Sequence, residues 1–383
     1  PLKLRSKEGL ALINGTDGIL GMLVLAICDL ERTLRTADIA AAASVEALLG
    51  TDRAFAADLV GLRPQPGQME SAENMMKLLA GSEIVASHRQ GDPRVQDAYS
   101  LRCAPQVLGA ARDSVTHARR VAEVEMDSAI DNPMVLPDGR VESCGNFHGA
   151  PLGIACDLLC IASAQAGAIS ERRTDRLLDA NRSHGLPPFL ADDPGVDSGM
   201  MIAQYTQAAM VADNRQLAVP ASSDTVPTSA MQEDHVSMAW NAARKLRRSV
   251  ANLERIVTVE LLCATRGLDL RAPLAPAPGT AAALRAVRDV RVDVAILGAC
   301  SAAIEEGLTS TNYDDAQVKA ACLGAARRSV LVATADKLSR TSTFRFGSAA
   351  DLTHLVTTSA ASDEVIAAFR GAGVQVIVVN DAG

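Results

Sequence analysis

Residues 151–179 read PLGIACDLLCIASAQAGAISERRTDRLLD, and this stretch decides the fold class. Pro151 stands where a helix tolerates proline, in the first turn, because the N–H it lacks has no intrahelical partner there. Small and apolar residues then continue until the charged cluster Glu171, Arg172 and Arg173 near the other end, so the stretch predicts one long helix. Working outward, apolar residues recur at helical spacing through Ile19, Leu23, Ile27 and Leu30, then through Ile39, Val45, Leu48 and Leu49, which predicts packed helices within 18–60. Further helices are expected at about 71–87, 104–129, 198–217, 228–266 and 280–290. The 228–266 helix is long enough to cross a whole domain. Between these lie a turn-rich stretch at 130–150 with a short hairpin at most, and loops rich in proline and glycine around 185–195 and 273–279.

After Arg291 the pattern changes. The run 292–298 (VDVAILG) predicts a short buried strand. A helix at 314–328, strands at 329–334, 353–357 and 374–379, and a helix at 361–371 complete a small parallel α/β unit. The expected fold is therefore mainly α, a long-helix bundle over 1–290 with a small α/β unit over 291–383.

Composition agrees and excludes some functions. Of 383 residues 48% are apolar and only 3% aromatic, which favours helices packed through alanine and leucine. The net charge is −8 and the basic residues are dispersed, so no nucleic-acid-tracking surface is expected. Eight cysteines show no zinc spacing, so no metal site is expected, and they read as reduced core thiols of a cytoplasmic protein. No secretory leader opens the chain, and no apolar run free of charge reaches the roughly 20 residues that span a bilayer. A chain that opens on proline inside what reads as a folded domain is expected to lack an upstream segment.

Four islands combine glycine with unusual polar residues: 7–16 (KEGLALINGT), 96–106 (QDAYSLRCAPQ), 143–151 (SCGNFHGAP) and 229–238 (SAMQEDHVSM). Singly each has a bland reading. Asn14-Gly15 makes a turn, Arg102 a surface cation, Phe147 a core residue, and Glu233-Asp234 a helix start. Together, and with 131–133 (DNP), 169–173 (ISERR), 185–189 (GLPPF), 197–199 (DSG) and 220–222 (PAS), they resemble the aromatic amino-acid ammonia-lyases, specifically the histidine ammonia-lyases, over about residues 1–290.

That resemblance implies elimination of ammonia from L-histidine to give urocanate, a step of histidine catabolism. It implies an electrophilic methylidene-imidazolone formed from an Ala-Ser-Gly backbone, and a homotetramer with active sites drawn from more than one subunit, on a fold of the ammonia-lyase/fumarase type. Asn14 and Gln96 would line the electrophile and the amino-acid end of the substrate, with Tyr99 beside them. Arg102 would clamp the substrate carboxylate, Phe147 would pack near its ring, and Glu233 would face the imidazole and select histidine. Phenylalanine or tyrosine ammonia-lyases and aminomutases, which generally carry glutamine where Glu233 stands, are the alternative. His148 and His235 fall inside matched motifs, in a supporting rather than a proton-transferring role.

Two departures stand out. Ala-Ser-Gly occurs nowhere in the 383 residues, so the chain alone is expected to be inactive. The tail instead resembles part of the effector domain of the DeoR family of sugar-catabolism repressors, through 292–298, 306–309 (EGLT) and 335–337 (ADK). Lys337 would there be the candidate contact for a sugar phosphate. On this second view the chain is a fragment of a transcriptional regulator, or a fusion whose tail has no working site.

Overall fold

The computed structural model describes residues 2–380. The chain divides into two compact units, the first ending at Arg285 and the second beginning at Ala286. The first holds helices α1 (Glu8–Ala11), α2 (Asp17–Ala47), α3 (Ala57–Val60), α4 (Pro66–Leu79), α5 (Glu83–Ser87), α6 (Tyr99–Arg102), α7 (Ala104–Met126), α8 (Ala150–Leu178), α9 (Met201–Leu217) and α10 (Ala239–Asp269). A small hairpin of β1 (Met134–Val135) and β2 (Val141–Glu142) interrupts them, and α11 (Pro278–Arg288) leads into the second unit. The expected long-helix bundle is the architecture found.

Its frame is three long helices running the same way. Near their starts Ile19 of α2, Gly149 just before α8 and Ala239 of α10 meet. Near their ends Ala47, Leu177 and Gly267 meet. Between them α7 and α9 run in the opposite direction, as Arg112–Asp38 and Arg119–Glu31 on one side and Asn214–Ser249 and Gln207–Ile256 on the other require. The alanine run Ala40–Ala43 of α2 is wholly buried, which lets its neighbours approach closely. Helix α8 is long and apolar enough to cross a bilayer by length and composition. It is nonetheless packed by α7, α9 and α10, the position of a core helix. Where α4 crosses α7, a Cβ on Gly109 would lie 2.3 Å from the backbone N of Gln68, so only glycine fits there.

The buried charges inside the bundle are paired. Arg173 of α8 and Glu260 of α10, both fully buried, form a two-pronged ion pair, with Nε–Oε1 at 2.5 Å and Nη2–Oε2 at 2.8 Å. Ser44 of α2 donates to the same carboxylate at 2.8 Å, and Arg173 Nη1 donates to the Ser100 carbonyl of α6 at 3.1 Å. A second network joins Asp38 of α2 to Ser71, Asn74 and Arg112.

Several expected elements are corrected. The helices read within 18–60 begin with one unbroken α2, because the polar Thr33 and Asp38 that interrupt its apolar stripe are buried and satisfied in place. The helix expected over 71–87 is two, α4 and α5. They are separated by Gly81 at φ +81° and restarted by Ser82, whose hydroxyl caps the Val85 N–H at 2.9 Å. The helix expected from 228 starts only at Ala239. Ser229, Ala230, Met231 and Met238 hold φ between 49° and 73°, and Thr228 pairs with Glu233 across the resulting turn. Of the eight cysteines, all free, only Cys156, Cys160 and Cys263 are buried, so most are not core thiols.

In the second unit, β3 (Val292–Gly298), β6 (Ala326–Val332), β8 (His354–Thr358) and β9 (Gln375–Val379) form a parallel sheet in that order. Helices α12 (Tyr313–Ala325) and α13 (Asp363–Gly371) accompany it. Ala295, Leu297, Leu331 and Leu355 point into its core. The reading of the tail missed a second sheet, antiparallel, of β4 (Ser301–Ala303), β5 (Gly307–Ser310) and β7 (Phe344–Gly347). These strands are three or four residues long, too short for an alternating pattern to register.

Replacing Arg173 by Met strands the Glu260 carboxylate in the core. The helical unit should lose about 3–5 kcal/mol, whereas replacing both residues by Met should cost much less. Urea unfolding followed by helical ellipticity distinguishes the two, and equal losses would refute the pairing argument.

Candidate active site

The parallel rods gather three helix N-termini at one end of the bundle, and three of the four islands meet there. Lys7 pairs with Asp131, and Asn14 Nδ2 donates to the same carboxylate at 3.3 Å. Lys7, first, holds the Asp131 carboxyl below the usual range. Asn132 Oδ1 accepts from Ser143 Oγ at 3.2 Å and from the Cys144 N–H at 3.0 Å, which fixes the start of the 143–151 island. The rings of His148 and His235 stack with centroids 5.7 Å apart, and His148 Nε2 lies 3.2 Å from the His235 carbonyl. That contact brings the segment carrying Phe147 against the segment carrying Glu233. Phe147 is 40% exposed and Glu233 is exposed at the tip of its turn. The Thr228 hydroxyl donates to Glu233 and, with Ser229 second, keeps its carboxyl lowered and therefore charged at neutral pH. Aligned helix N-termini and an amide donor make this end suited to anionic or electron-rich groups.

The fourth island lies at the other end. Helix α6 sits beside the ends of α2 and α8, held through its Ser100 carbonyl by Arg173 and through Asp97, which accepts from the Thr51 N–H at 2.7 Å and from Arg94 at 3.2 Å. Arg94 also grips Asp92 with two nitrogens, at 2.9 and 2.6 Å, and meets His184 Nε2 at 3.2 Å. The Arg94 guanidinium drives the Asp92 carboxyl far below its ordinary value. Arg102 lies over the Tyr99 ring at 4.7 Å, and its buried Nε has no hydrogen-bond partner. Together Arg94, Gln96, Asp97, Tyr99, Leu101, Arg102, Arg176 and His184 border a cavity of about 360 Å³.

The six anticipated site residues therefore form two groups in one chain: Asn14, Phe147 and Glu233 at one tip, Gln96, Tyr99 and Arg102 at the other. The rods between them are about 45 Å long, at 1.5 Å for each residue of α2. One chain by itself does not bring all six to one cavity. Arg94, Asp97, Arg176 and His184 were not anticipated. Asp97 lies inside a quoted motif and Arg94 two residues ahead of it, while nothing in the sequence pattern points Arg176 or His184 at the same cavity. Among the described residues no three His, Cys, Asp or Glu side chains gather as metal ligands. In the second unit Lys337 closes a short turn just beyond the end of β6 and is half-buried.

Residues 1–289, which make up this bundle of long parallel rods, match the family model for aromatic amino acid lyases. The chain belongs to that family. Histidine ammonia-lyase of Streptomyces avermitilis is 64% identical over 293 residues, 76% of this chain and 57% of the relative. The Deinococcus radiodurans histidine ammonia-lyase is 53% identical over 272 residues, 71% of this chain and 52% of the relative. Among solved structures, histidine ammonia-lyase from Trypanosoma cruzi superposes with a TM-score of 0.69 at 42% identity, covering 76% of this chain and 54% of that one. Tyrosine aminomutase from Streptomyces globisporus gives 0.70 at 38%, covering 75% and 58%. The chain thus spans a little over half the length of the curated relatives it matches. Residues 279–359 match the model of the DeoR C terminal sensor domain.

His88 and His184 are both held below the ordinary histidine value of 6.5, first by burial and then by the Arg94 guanidinium. The unfolded chain therefore takes up these protons more readily than the folded one. The stability they contribute is complete above pH 6.5 and is lost as the pH falls below it. Melting temperature should decline between pH 6.5 and 5, and less steeply in His184→Gln; identical slopes would contradict this account.

Proposed function

We propose that the chain is the carboxy-terminal part of a histidine ammonia-lyase, an enzyme that eliminates ammonia from L-histidine to give urocanate, and that it works in the cytoplasm, where its free thiols stay reduced. The observation that carries this reading is the 64% identity to a histidine ammonia-lyase across 76% of the chain. Glu233 supports histidine over phenylalanine or tyrosine. A charged carboxylate accepts a hydrogen bond from an imidazole N–H and is left unpaired by a phenyl ring.

The division of labour follows from the two tips. Arg102, its Nε free, takes the substrate carboxylate in a planar two-pronged grip, while Tyr99 stacks on that guanidinium and holds its plane. Phe147 covers the substrate ring and Glu233 fixes its orientation. Because the two groups stand at opposite ends of the rods, a working site takes one tip from each of two copies laid antiparallel. Exposed apolar side chains on the rods, among them Leu25, Ile154 and Ile161, and Tyr205 on α9, support such packing, here proposed as a homotetramer.

The donor set at the N-terminal tip, the Asn14 amide and three helix ends, fits methylidene-imidazolone, whose carbonyl draws negative charge. Asn14 and, from the other copy, Gln96 would hold it. When bound, it supplies the electrophile that makes ammonia a competent leaving group. Its Ala-Ser-Gly precursor is not in these 383 residues.

For the second unit, a sugar phosphate contact at Lys337 is favoured by its place beyond the carboxyl end of a parallel strand, where open sheets bind ligands.

Purified alone, the chain should produce no urocanate absorbance from L-histidine. Extended with the Ala-Ser-Gly segment of a relative, it should, and Glu233→Gln should then lower kcat/KM for histidine by about ten- to a hundredfold, the worth of one hydrogen bond to a charged group. An extended enzyme indifferent to that change would count against histidine. Sugar phosphates should raise the melting temperature of the chain, and Lys337→Ala should abolish the rise.

A further inference from the structure

We propose that Arg176 is a second carboxylate-binding group beside Arg102, so that the cavity where α6 meets the end of α8 holds a carboxylate ligand between two guanidiniums. The inference rests on the ammonia-lyase reading for the identity of that ligand, and on the following geometry for the site.

Arginines near this end of α8 are mostly taken. Arg172 pairs with Glu171, Arg173 with Glu260, Arg182 with Asp175 and Asp179, and Arg94 with Asp92 and Asp97. Arg176, one turn beyond Arg173, makes no side-chain hydrogen bond or ion pair among the described residues and borders the cavity together with Gln96, Tyr99 and Arg102. Burial, and after it the Arg182 charge, lower its affinity for its proton. Asp175, Asp179 and Asp97 act the other way from a distance and do not reach it. A cation in the last turn of a helix is favoured by the helix dipole, but the dipole gives no reason to crowd further cations around it. His184, on the same cavity, is held below its ordinary pKa by burial and then by Arg94, Arg176 and Arg271, with Asp97 opposing.

The positive charge gathered here is therefore larger than the charges of the fold require. A guanidinium without a carboxylate, an orphaned Arg102 Nε and a neutral imidazole on one cavity together fit an incoming anion. Beside Tyr99 and Gln96, the anion that belongs there is the carboxylate of the amino acid or of its unsaturated product. Arg102 then grips one edge of it, and Arg176 neutralises its remaining charge.

The test uses the whole chain as it stands, with urocanate as probe and calorimetry as readout. Imidazole, which has the ring without the carboxylate, and inorganic phosphate serve as controls. Urocanate should bind, imidazole should not, and Arg176→Gln should weaken urocanate at least tenfold, with Arg176→Lys recovering part of the loss. Arg176→Gln should melt no lower than the parent, because removing a cation from among Arg182, Arg94 and Arg271 relieves repulsion. The His184 ring resonances should titrate at higher pH with urocanate bound, a change that a merely structural arginine would not produce.

Unchanged urocanate affinity in Arg176→Gln, with affinity lost in Arg102→Gln, would overturn the proposal and leave the ammonia-lyase reading standing. Phosphate binding as tightly as urocanate, or no urocanate binding by the parent chain, would also overturn it. The ammonia-lyase reading fails separately, if the extended chain leaves L-histidine unchanged.

Discussion

The Arg173–Glu260 pair is the constraint on which the helical unit depends. With neither side chain exposed, both charges leave water on folding, and the arrangement holds only because the two-pronged geometry and the Ser44 hydroxyl satisfy the carboxylate. Such a pair adds little net stability over an apolar replacement, but it tolerates no slippage. It joins α2, α8 and α10 at one level along their length, and the same guanidinium reaches the Ser100 carbonyl. The helix that carries Tyr99 and Arg102 is thereby tied to the register of the rods.

Parallel rods have a polarity that antiparallel bundles cancel. All three long helices present their N–H ends at one tip, where Asn14 and the stacked histidines lie, and their carbonyl ends at the other, where arginines gather. The carbonyl end attracts cations, and Arg271 shows the ordinary outcome, spending its donors on the Ala47, Ser183 and His184 carbonyls. Among the described residues Arg102 and Arg176 have no such occupation.

Much of this was legible in the chain. The long helices followed from uninterrupted apolar spacing, and the four islands stood out because glycine beside unusual polar residues has no place in a plain bundle. Local chemistry, however, does not report distance. Nothing in 96–106 or 229–238 says that Gln96 and Glu233 sit at opposite tips, since that follows from the three rods running parallel, a property of packing. The start of α10 was misread because 229–238 contains good helix formers. The turn that excludes them depends on left-handed residues and on the bond from Thr228 to Glu233. The partners that satisfy Asp38 in the middle of α2, Ser71 and Arg112, come from two other helices, so no local pattern announces them.

The rods span 31, 29 and 31 residues, and this near equality turns the bundle into a ruler. One residue inserted in any of them would advance its far tip by about 1.5 Å and rotate it by about 100°, pulling Arg173 out of line with Glu260 or turning a buried stripe toward water. The segments between rods, such as the hairpin at Met134–Glu142, carry no such constraint, so a change of length there leaves both tips in place.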